Sequence, residues 1–173
     1  MRVFAKPTLL ASLLITLVAC HGSPVPAPAA APVGKGEPDR PAAFASAKLV
    51  TGRVICPLES VNGNEVRQSR SFVTSSKATL VGWSTVADAQ HPTPPMATIV
   101  FRSIVPDGSH DLFWPGLRVA RPDLATDPHF LNAGYSASGR FPSRPGKYRV
   151  LVWVGDAGTQ RECDTKEIFE IHG

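Results

Sequence analysis

The sequence predicts an all-β protein, an antiparallel β-sandwich of about seven strands that follows a flexible linker rich in Pro and Ala. Three observations lead to this prediction. Short β-like runs recur between residues 48 and 173, turn residues separate these runs, and the periodicity of a helix is nearly absent. A region of this length is sufficient to bury one hydrophobic core.

Seven runs carry the strand signal. In chain order they cover residues 49–58, 78–85, 96–104, 112–120, 133–138, 147–154 and 168–172. In the third run, Ile99 and Phe101 face one way, while Val100 and Arg102 face the other way. In the sixth run both alternating sets of side chains are largely apolar, which predicts a strand that is partly buried on both faces.

Two segments depart from simple alternation. Pro115 and Gly116 interrupt the fourth run. Because proline cannot donate a hydrogen bond to a sheet ladder, this pair predicts an edge strand or a bulge. A helical turn is expected only within residues 121–130.

The number of strands and one turn favour a sandwich of the immunoglobulin-like type. The segment Pro145-Gly146-Lys147-Tyr148 resembles the turn that enters the penultimate strand of such sandwiches. The resemblance implies that the tyrosine hydroxyl bonds back to the upstream backbone. Val150 stands where an antibody domain carries a cysteine, so the resemblance is to the architecture and not to the antibody family.

The first residues predict an export signal. Arg2 and Lys6 make the leader positive, and residues 8–19 follow without a charge. A membrane-spanning helix needs about 20 apolar residues, so this run is too short to span a bilayer. Residues 1–19 are therefore predicted to be a signal peptide.

The end of this leader, Leu17-Val18-Ala19-Cys20, resembles the lipobox of bacterial lipoproteins. The resemblance implies that Cys20 becomes the lipidated first residue of the mature protein and that membrane lipid is a partner. It also implies a location in the cell envelope. His21 rather than Asp follows the cysteine, which in a Gram-negative cell favours the outer membrane, facing the periplasm or the cell surface. The alternative is an ordinary cleavable secretory signal.

Residues 20–47 are predicted to be a flexible linker after the lipidated cysteine, and residues 48–173 to be the folded domain. The linker is rich in Pro, Ala and Gly and offers no apolar periodicity. The leader holds two of the 18 basic residues and none of the acidic ones, so the mature chain carries a net charge of about +2. The sequence has no cluster of Lys and Arg, which argues against binding to nucleic acid.

Two cysteines remain for the folded domain. Cys56 lies on the first predicted strand and Cys163 just before the last, 107 residues apart. In an exported domain this pair predicts a disulfide. The alternative is two buried free thiols. The sequence contains no C-x-x-C, so a thioredoxin-like redox role is not supported.

Few residues suggest catalysis. The segment from Gly134 to Ser138 resembles the G-x-S-x-G motif of a nucleophile elbow, but Ser138 stands where the motif has its second Gly. We therefore interpret it as a strand whose serine hydroxyls face outward. A metal site or an acid–base pair could form if four loop residues came together, namely His110, Asp111, Asp127 and His129. The simpler interpretation is that they are solvated turn residues. This loop site supports the alternative function, a hydrolase or metal-dependent enzyme. The favoured reading includes no metal and no cofactor.

Two short motifs resemble signature positions of a β-sandwich module found in bacterial envelope and polysaccharide-associated proteins. They are Gly82-Trp83 and the segment from Arg121 to Leu124. We expect Trp83 to pack in the core, and Arg121 and Asp123 to bind one another or nearby backbone at a corner between sheets. The alternative is that Arg121 and Asp123 bind a ligand. The resemblance implies no catalytic activity.

Phe113 and Trp114, beside the Pro-Gly break, are the remaining binding candidates. They could form an exposed aromatic platform for sugar rings or a protein, or they could cover the core. The sequence therefore favours a non-enzymatic envelope lipoprotein whose sandwich binds an envelope protein or a polysaccharide. A purely structural spacer is a further alternative.

Overall fold

The computed structural model describes residues 40–87, 93–105, 111–124, 128–156 and 158–173. The predictions for residues 1–39, including the signal peptide and the lipidation of Cys20, lie outside these ranges. So do His110 and Asp127.

Twelve strands occur in the described part of the chain. They are β1 (Lys48–Leu49), β2 (Val54–Ile55), β3 (Leu58–Val61), β4 (Asn64–Glu65), β5 (Ser71–Val73), β6 (Lys77–Trp83), β7 (Thr85–Val86), β8 (Met96–Ser103), β9 (Leu112–Val119), β10 (Gly134–Arg140), β11 (Gly146–Gly155) and β12 (Thr159–His172). One short helix, α1 (Ala42–Ala45), precedes them. Two 3₁₀ turns lie at Val66–Gln68 and Pro128–Phe130, and the second falls in the segment where a helical turn was expected.

The strands form a sandwich around one core. Hydrogen bonding runs through the order β1-β12-β11-β8-β9-β10-β6-β3-β4, β5 also pairs with β12, and β2 pairs with β7. All pairings are antiparallel except those of β1 and β5 with β12. Side chains from β8, β11 and β12 share a single buried cluster with side chains from β3, β6 and β10. The fold class is therefore the predicted antiparallel, immunoglobulin-like sandwich.

Strand β9 links the two layers of the sandwich. Its first part, from Leu112 to Gly116, pairs with β8, and its second part, from Gly116 to Val119, pairs with β10. Pro115 and Gly116 thus mark a strand that changes sheets, where an edge strand or a bulge had been expected. A Cβ on Gly116 would lie 3.0 Å from the Ala97 carbonyl oxygen, so glycine allows the three strands to meet.

Aromatic rings fill the middle of the core. Phe101 lies 4.7 Å from Trp114 and 5.7 Å from Phe141, centroid to centroid. Phe169 packs against Phe101 and Phe141 as well. The alternation predicted for β8 is confirmed, because Ile99 and Phe101 belong to this core while Val100 belongs to a second cluster on the opposite face.

Two of the predicted runs differ from the observed strands, and β4 and β5 lie outside all seven runs. The run at 49–58 is divided among β1, β2 and the start of β3, and the run at 168–172 is only the end of the much longer β12. In β12 the register shifts opposite Arg149 and Leu151, and Lys166 has a φ of 69°. This bulge breaks the alternation by which the first half of the strand would have been recognised.

Trp83 does not pack in the core, contrary to the prediction. The burial pattern of β6 alternates, with Leu80 and Gly82 buried and Trp83 only half-buried. Tyr135 takes the inner position, and a Cβ on Gly82 would lie 2.5 Å from its hydroxyl oxygen. The sheet alternation therefore turns Trp83 to the outer side of β6.

Residues 40–50, which we call the strap, lie across the outside of the sandwich. Phe44, within the predicted linker, has only 1% of its surface exposed. Lys48 and Leu49 extend the sheet as β1, and the Val50 amide donates to the Gln160 carbonyl at 2.9 Å. The packed part of the chain thus includes residues before position 48.

Two predicted contacts are present in the fold. Cys56 and Cys163 form a disulfide with a Cα–Cα distance of 6.3 Å. The Tyr148 hydroxyl donates to the Arg144 carbonyl at 3.0 Å, which is the bond back to upstream backbone expected at this corner. No helix among the described residues is long and apolar enough to cross a membrane.

Candidate interaction face

The outer surface of the layer formed by β8, β11 and β12 carries both an apolar cluster and a charged groove; we call it the outer face. Because side chains alternate along a strand, residues next to core positions in β8 and β11 point to this side. Val100, Leu151 and Trp153 belong to a cluster separate from the core. The outer face therefore has an apolar part of its own.

The strap covers this apolar part. Phe44 meets the Trp153 ring edge to face, with centroids 6.0 Å apart and an interplanar angle of 80°. Phe113 lies on the other side of Trp153, at 5.0 Å. The Arg40 guanidinium lies 5.1 Å from the centre of the Trp153 ring and donates to the Gln160 side chain at 2.8 Å. Trp153 is thus enclosed by two aromatic rings and a cation.

The other part of the outer face is an open groove of about 300 Å³. It is lined by Arg102, Ser103, Ile104, Arg149, Leu151, Glu162 and Asp164. Leu151 is buried and Ile104 is 42% exposed, so the groove combines apolar surface with charged walls. Arg102 and Arg149 are direct cross-strand partners, and like charges in such positions repel unless they are neutralised.

Two carboxylates neutralise Arg102. Its Nε donates to both Asp111 oxygens at 3.1 Å, and its Nη1 donates to Glu162 Oε1 at 3.0 Å. The hydrogen bonds to Asp111 raise the pKa of Arg102 most, burial opposes them, and Glu162 adds to the increase. Glu162 also accepts from the Trp153 indole at 3.0 Å, which connects the groove to the covered part of the face.

Asp164 neutralises Arg149. Arg149 Nη1 donates to Asp164 Oδ2 at 3.2 Å, and the Lys166 amide donates to Oδ1 at 2.8 Å. Burial raises the pKa of Asp164, but the bonds from Lys166 and the charges of Lys166 and Arg149 together hold it below its usual value. Both arginines are therefore held in place, with donors and acceptors presented side by side to the groove.

This arrangement is suited to recognition. Ion pairs with Asp111, Glu162 and Asp164 restrict the two arginine side chains before a partner arrives. The described residues contain no group of three or more His, Cys, Asp or Glu placed to hold a metal ion.

The structure places the predicted aromatic candidates in the interior. Trp114 is 2% exposed and its indole donates to the Arg140 carbonyl at 3.0 Å. Phe113 is 7% exposed and lies beneath Trp153 in the outer-face cluster. Both residues cover apolar interior, so they do not form the exposed platform that was one of the two interpretations.

Arg121 and Asp123 bind one another, as expected for a corner. Arg121 Nε donates to Asp123 Oδ1 at 2.9 Å, and Nη1 donates to Glu59 Oε2 at 2.8 Å. Glu59 lies on β3, so the guanidinium joins the segment after β9 to that strand. With two carboxylates bound, Arg121 has a structural role here.

The proposed loop site is not tested, because His110 and Asp127 lie outside the described residues. Asp111 is described, and it binds Arg102. His129 falls in the 3₁₀ turn at Pro128–Phe130.

Sequence reasoning missed the residues that build the outer face. Phe44 stood in a segment assigned to the linker, and the partners Arg102 and Glu162 are 60 residues apart in the chain. One signal was present: the apolar residues Leu151 and Trp153 on the second face of the sixth run required a cover. Phe44 is the aromatic residue of residues 40–50 that supplies it.

Comparisons with known proteins give only distant likenesses. No family model matches the chain, and no curated protein matches it. Dimeric latent PorU from Porphyromonas gingivalis is similar in structure with a TM-score of 0.41 and 7% identity; the match covers 69% of this chain and 13% of PorU. The Lin-41 filamin domain has a TM-score of 0.33 and 18% identity, covering 65% of this chain and 90% of that domain.

Proposed function

We propose that this chain is an exported lipoprotein, anchored in the cell envelope through acylated Cys20, whose sandwich is a non-enzymatic module that binds an envelope protein or a polysaccharide. In a Gram-negative cell the anchor lies in the outer membrane, and the module faces the periplasm or the cell surface. Residues 21–39 then connect the anchor to the strap.

The observation that carries the proposal is the Cys56–Cys163 disulfide. Disulfides persist in oxidising compartments outside the cytosol, so the bond supports export. It also accounts for two of the three cysteines, which leaves Cys20 at the end of the apolar leader. One acyl chain binds a membrane only marginally, and the multiple chains added to bacterial lipoproteins anchor it stably.

The binding role is supported by the outer face. The groove offers apolar surface beside arginines whose side chains are restricted by ion pairs with Asp111, Glu162 and Asp164. A domain that acted only as a spacer would need no such groove. The ion pairs hold these charged groups beside the groove, within reach of a bound partner.

Lipidation is tested with the full chain expressed in a bacterial host and labelled with palmitate. The Cys20→Ser variant is expected to lose the label and to leave the membrane fraction. Ser23→Ala, which changes a nearby residue and keeps the cysteine, is the matched control and should retain both properties. Membrane association and labelling of the Cys20→Ser variant at the level of the parent would contradict the proposal.

A further inference from the structure

We propose that the pocket around Trp153 is a binding site for a protein segment that carries an aromatic side chain, and that the strap occupies this site within the same chain. The inference deepens the binding role proposed above and rests on it for its biological context.

Phe44 anchors the strap in the pocket, and Arg40 adds a contact with the Trp153 ring. Phe44 is 1% exposed and enters a pocket formed by Trp153, Val100 and Leu151. Its neighbours Ala42, Ala45 and Ser46 are exposed. The pocket therefore selects one aromatic ring, and the rest of the helix serves to present it.

The remaining attachments of the strap are few. α1 has four residues and no side-chain cap, and Leu49 is 64% exposed. Besides the two-residue ladder between β1 and β12, the Lys48 amide donates to the Gly158 carbonyl, the Val50 amide to the Gln160 carbonyl, and the Arg40 guanidinium to the Gln160 side chain. Ordering about ten residues costs conformational entropy, and one buried ring, one contact between Arg40 and Trp153 and a few hydrogen bonds offset only part of it. The strap should therefore open while the sandwich stays folded.

Opening the strap uncovers a continuous recognition surface. The surface comprises the Trp153 ring, the free edge of β12 that β1 occupied, and the groove beside Glu162. A partner segment can use the same three features as the strap: an aromatic side chain in the pocket, a cation over Trp153, and an extended backbone along β12. The strap is thus the template for the partner, which is an extended protein segment.

The direct test uses the full chain with the substitution Phe44→Ala and a fluorescent peptide of residues 38–50. The variant empties the pocket, so it is expected to bind the peptide at least tenfold more tightly than the parent chain does. A matched peptide with Phe44→Ala should bind at least tenfold more weakly than the native peptide. Absence of saturable binding to the variant, or equal affinity for variant and parent, would overturn the proposal.

A second measurement on the parent chain does not depend on the stability of that variant. The Lys48 and Val50 amides should exchange with solvent at least a hundredfold faster than the amides of β11, because the strap opens locally. Exchange as slow as that of β11 would show a permanently closed strap and overturn the proposal.

Sedimentation of the parent chain at several concentrations tests whether the strap that fills the pocket comes from the same chain or from a second copy. A monomer whose strap is in place supports occupancy within one chain. A dimer that dissociates on Phe44→Ala substitution would assign the pocket to the strap of a second copy and overturn the arrangement proposed here. Both results are independent of lipidation, so failure of the anchor leaves them unchanged.

Discussion

At the scale of single residues, Trp114 depends on the absence of a side chain at Gly139. A Cβ at position 139 would lie 2.5 Å from the nearest atom of the Trp114 ring. The ring cannot move away easily, because it is 2% exposed and its indole nitrogen donates a hydrogen bond to the Arg140 carbonyl. Glycine is thus required at position 139 because the Trp114 ring lies directly against the backbone there.

We expect Gly139→Ala to lower the free energy of unfolding by about 1–3 kcal/mol, because the added methyl group overpacks the core. Gly158→Ala is the matched control, since a Cβ there would lie 3.6 Å from the Asp156 carboxylate, at ordinary van der Waals distance. Urea denaturation of both variants measures the difference. Equal stability of Gly139→Ala and the control would contradict this packing.

The free energy of unfolding depends on pH through Asp164. Its pKa in the folded state lies below the ordinary value of 3.8, because Lys166 and Arg149 outweigh the effect of burial. A carboxyl group with a lowered pKa stabilises the fold above its unfolded pKa, and this contribution is lost as the pH falls through the folded pKa. Asp164→Asn should therefore destabilise the protein at neutral pH and matter progressively less below pH 3.8.

Denaturation of the parent and of Asp164→Asn at neutral pH and at acidic pH measures this effect. The gap between the two unfolding free energies should shrink as the pH is lowered. A gap that stays constant across the range would show that the charge of Asp164 does not stabilise the fold.

At the scale of elements, the turn into β11 is held by a side chain that bonds to backbone. Tyr148→Phe removes the hydroxyl that donates to the Arg144 carbonyl. We expect a loss of about 1 kcal/mol in stability. Arg144→Ala keeps the carbonyl and should have little effect on stability. If both variants lost the same stability in urea denaturation, the bond from the hydroxyl would not be the cause.

The strands also show which parts of the fold could be predicted from the sequence. β8 and β11 were predicted because their alternation is unbroken, and their two faces carry the residues expected there. β12 was recognised only at its end, since the bulge at Lys166 interrupts the pattern and polar residues fill its outer face. β4 was missed because two residues are too few to show a period.

The candidate site could be predicted only in part, for a related reason. The corner formed by Arg121 and Asp123 is local in sequence, and its contact was expected and found. The outer face is assembled from Phe44, Arg102, Trp153 and Glu162, which lie in four distant segments. Periodicity reveals that a second face is apolar, but it does not reveal which segment covers that face.

At the scale of the whole molecule, the disulfide closes a loop that contains most of the sandwich. Cys56 precedes β3 and Cys163 lies on β12, with a separation of 107 residues. A closed loop of this length restricts the unfolded chain and stabilises the fold by roughly 4–5 kcal/mol in the chain-entropy model. The bond joins the segment that follows the strap to the strand on which the strap lies.

The double substitution Cys56→Ser and Cys163→Ser should therefore lower the stability of the domain by several kcal/mol, without changing the strand content of any protein that remains folded. Thermal denaturation monitored by circular dichroism checks the size of the loss. Reducing agent should shift the parent toward the variant and leave the variant unchanged. An unchanged melting temperature in the variant would contradict a stabilising disulfide.

The intact mass of the protein, extracted from bacterial membranes with detergent, tests lipid anchoring most directly. Lipid anchoring and the disulfide together predict a chain that begins at Cys20, carries the added mass of its acyl chains, and has two hydrogens fewer than the reduced form because Cys56 and Cys163 are bonded. An unacylated chain, or one that still contains residues 1–19, would contradict the claim that this sandwich is a lipid-anchored envelope module.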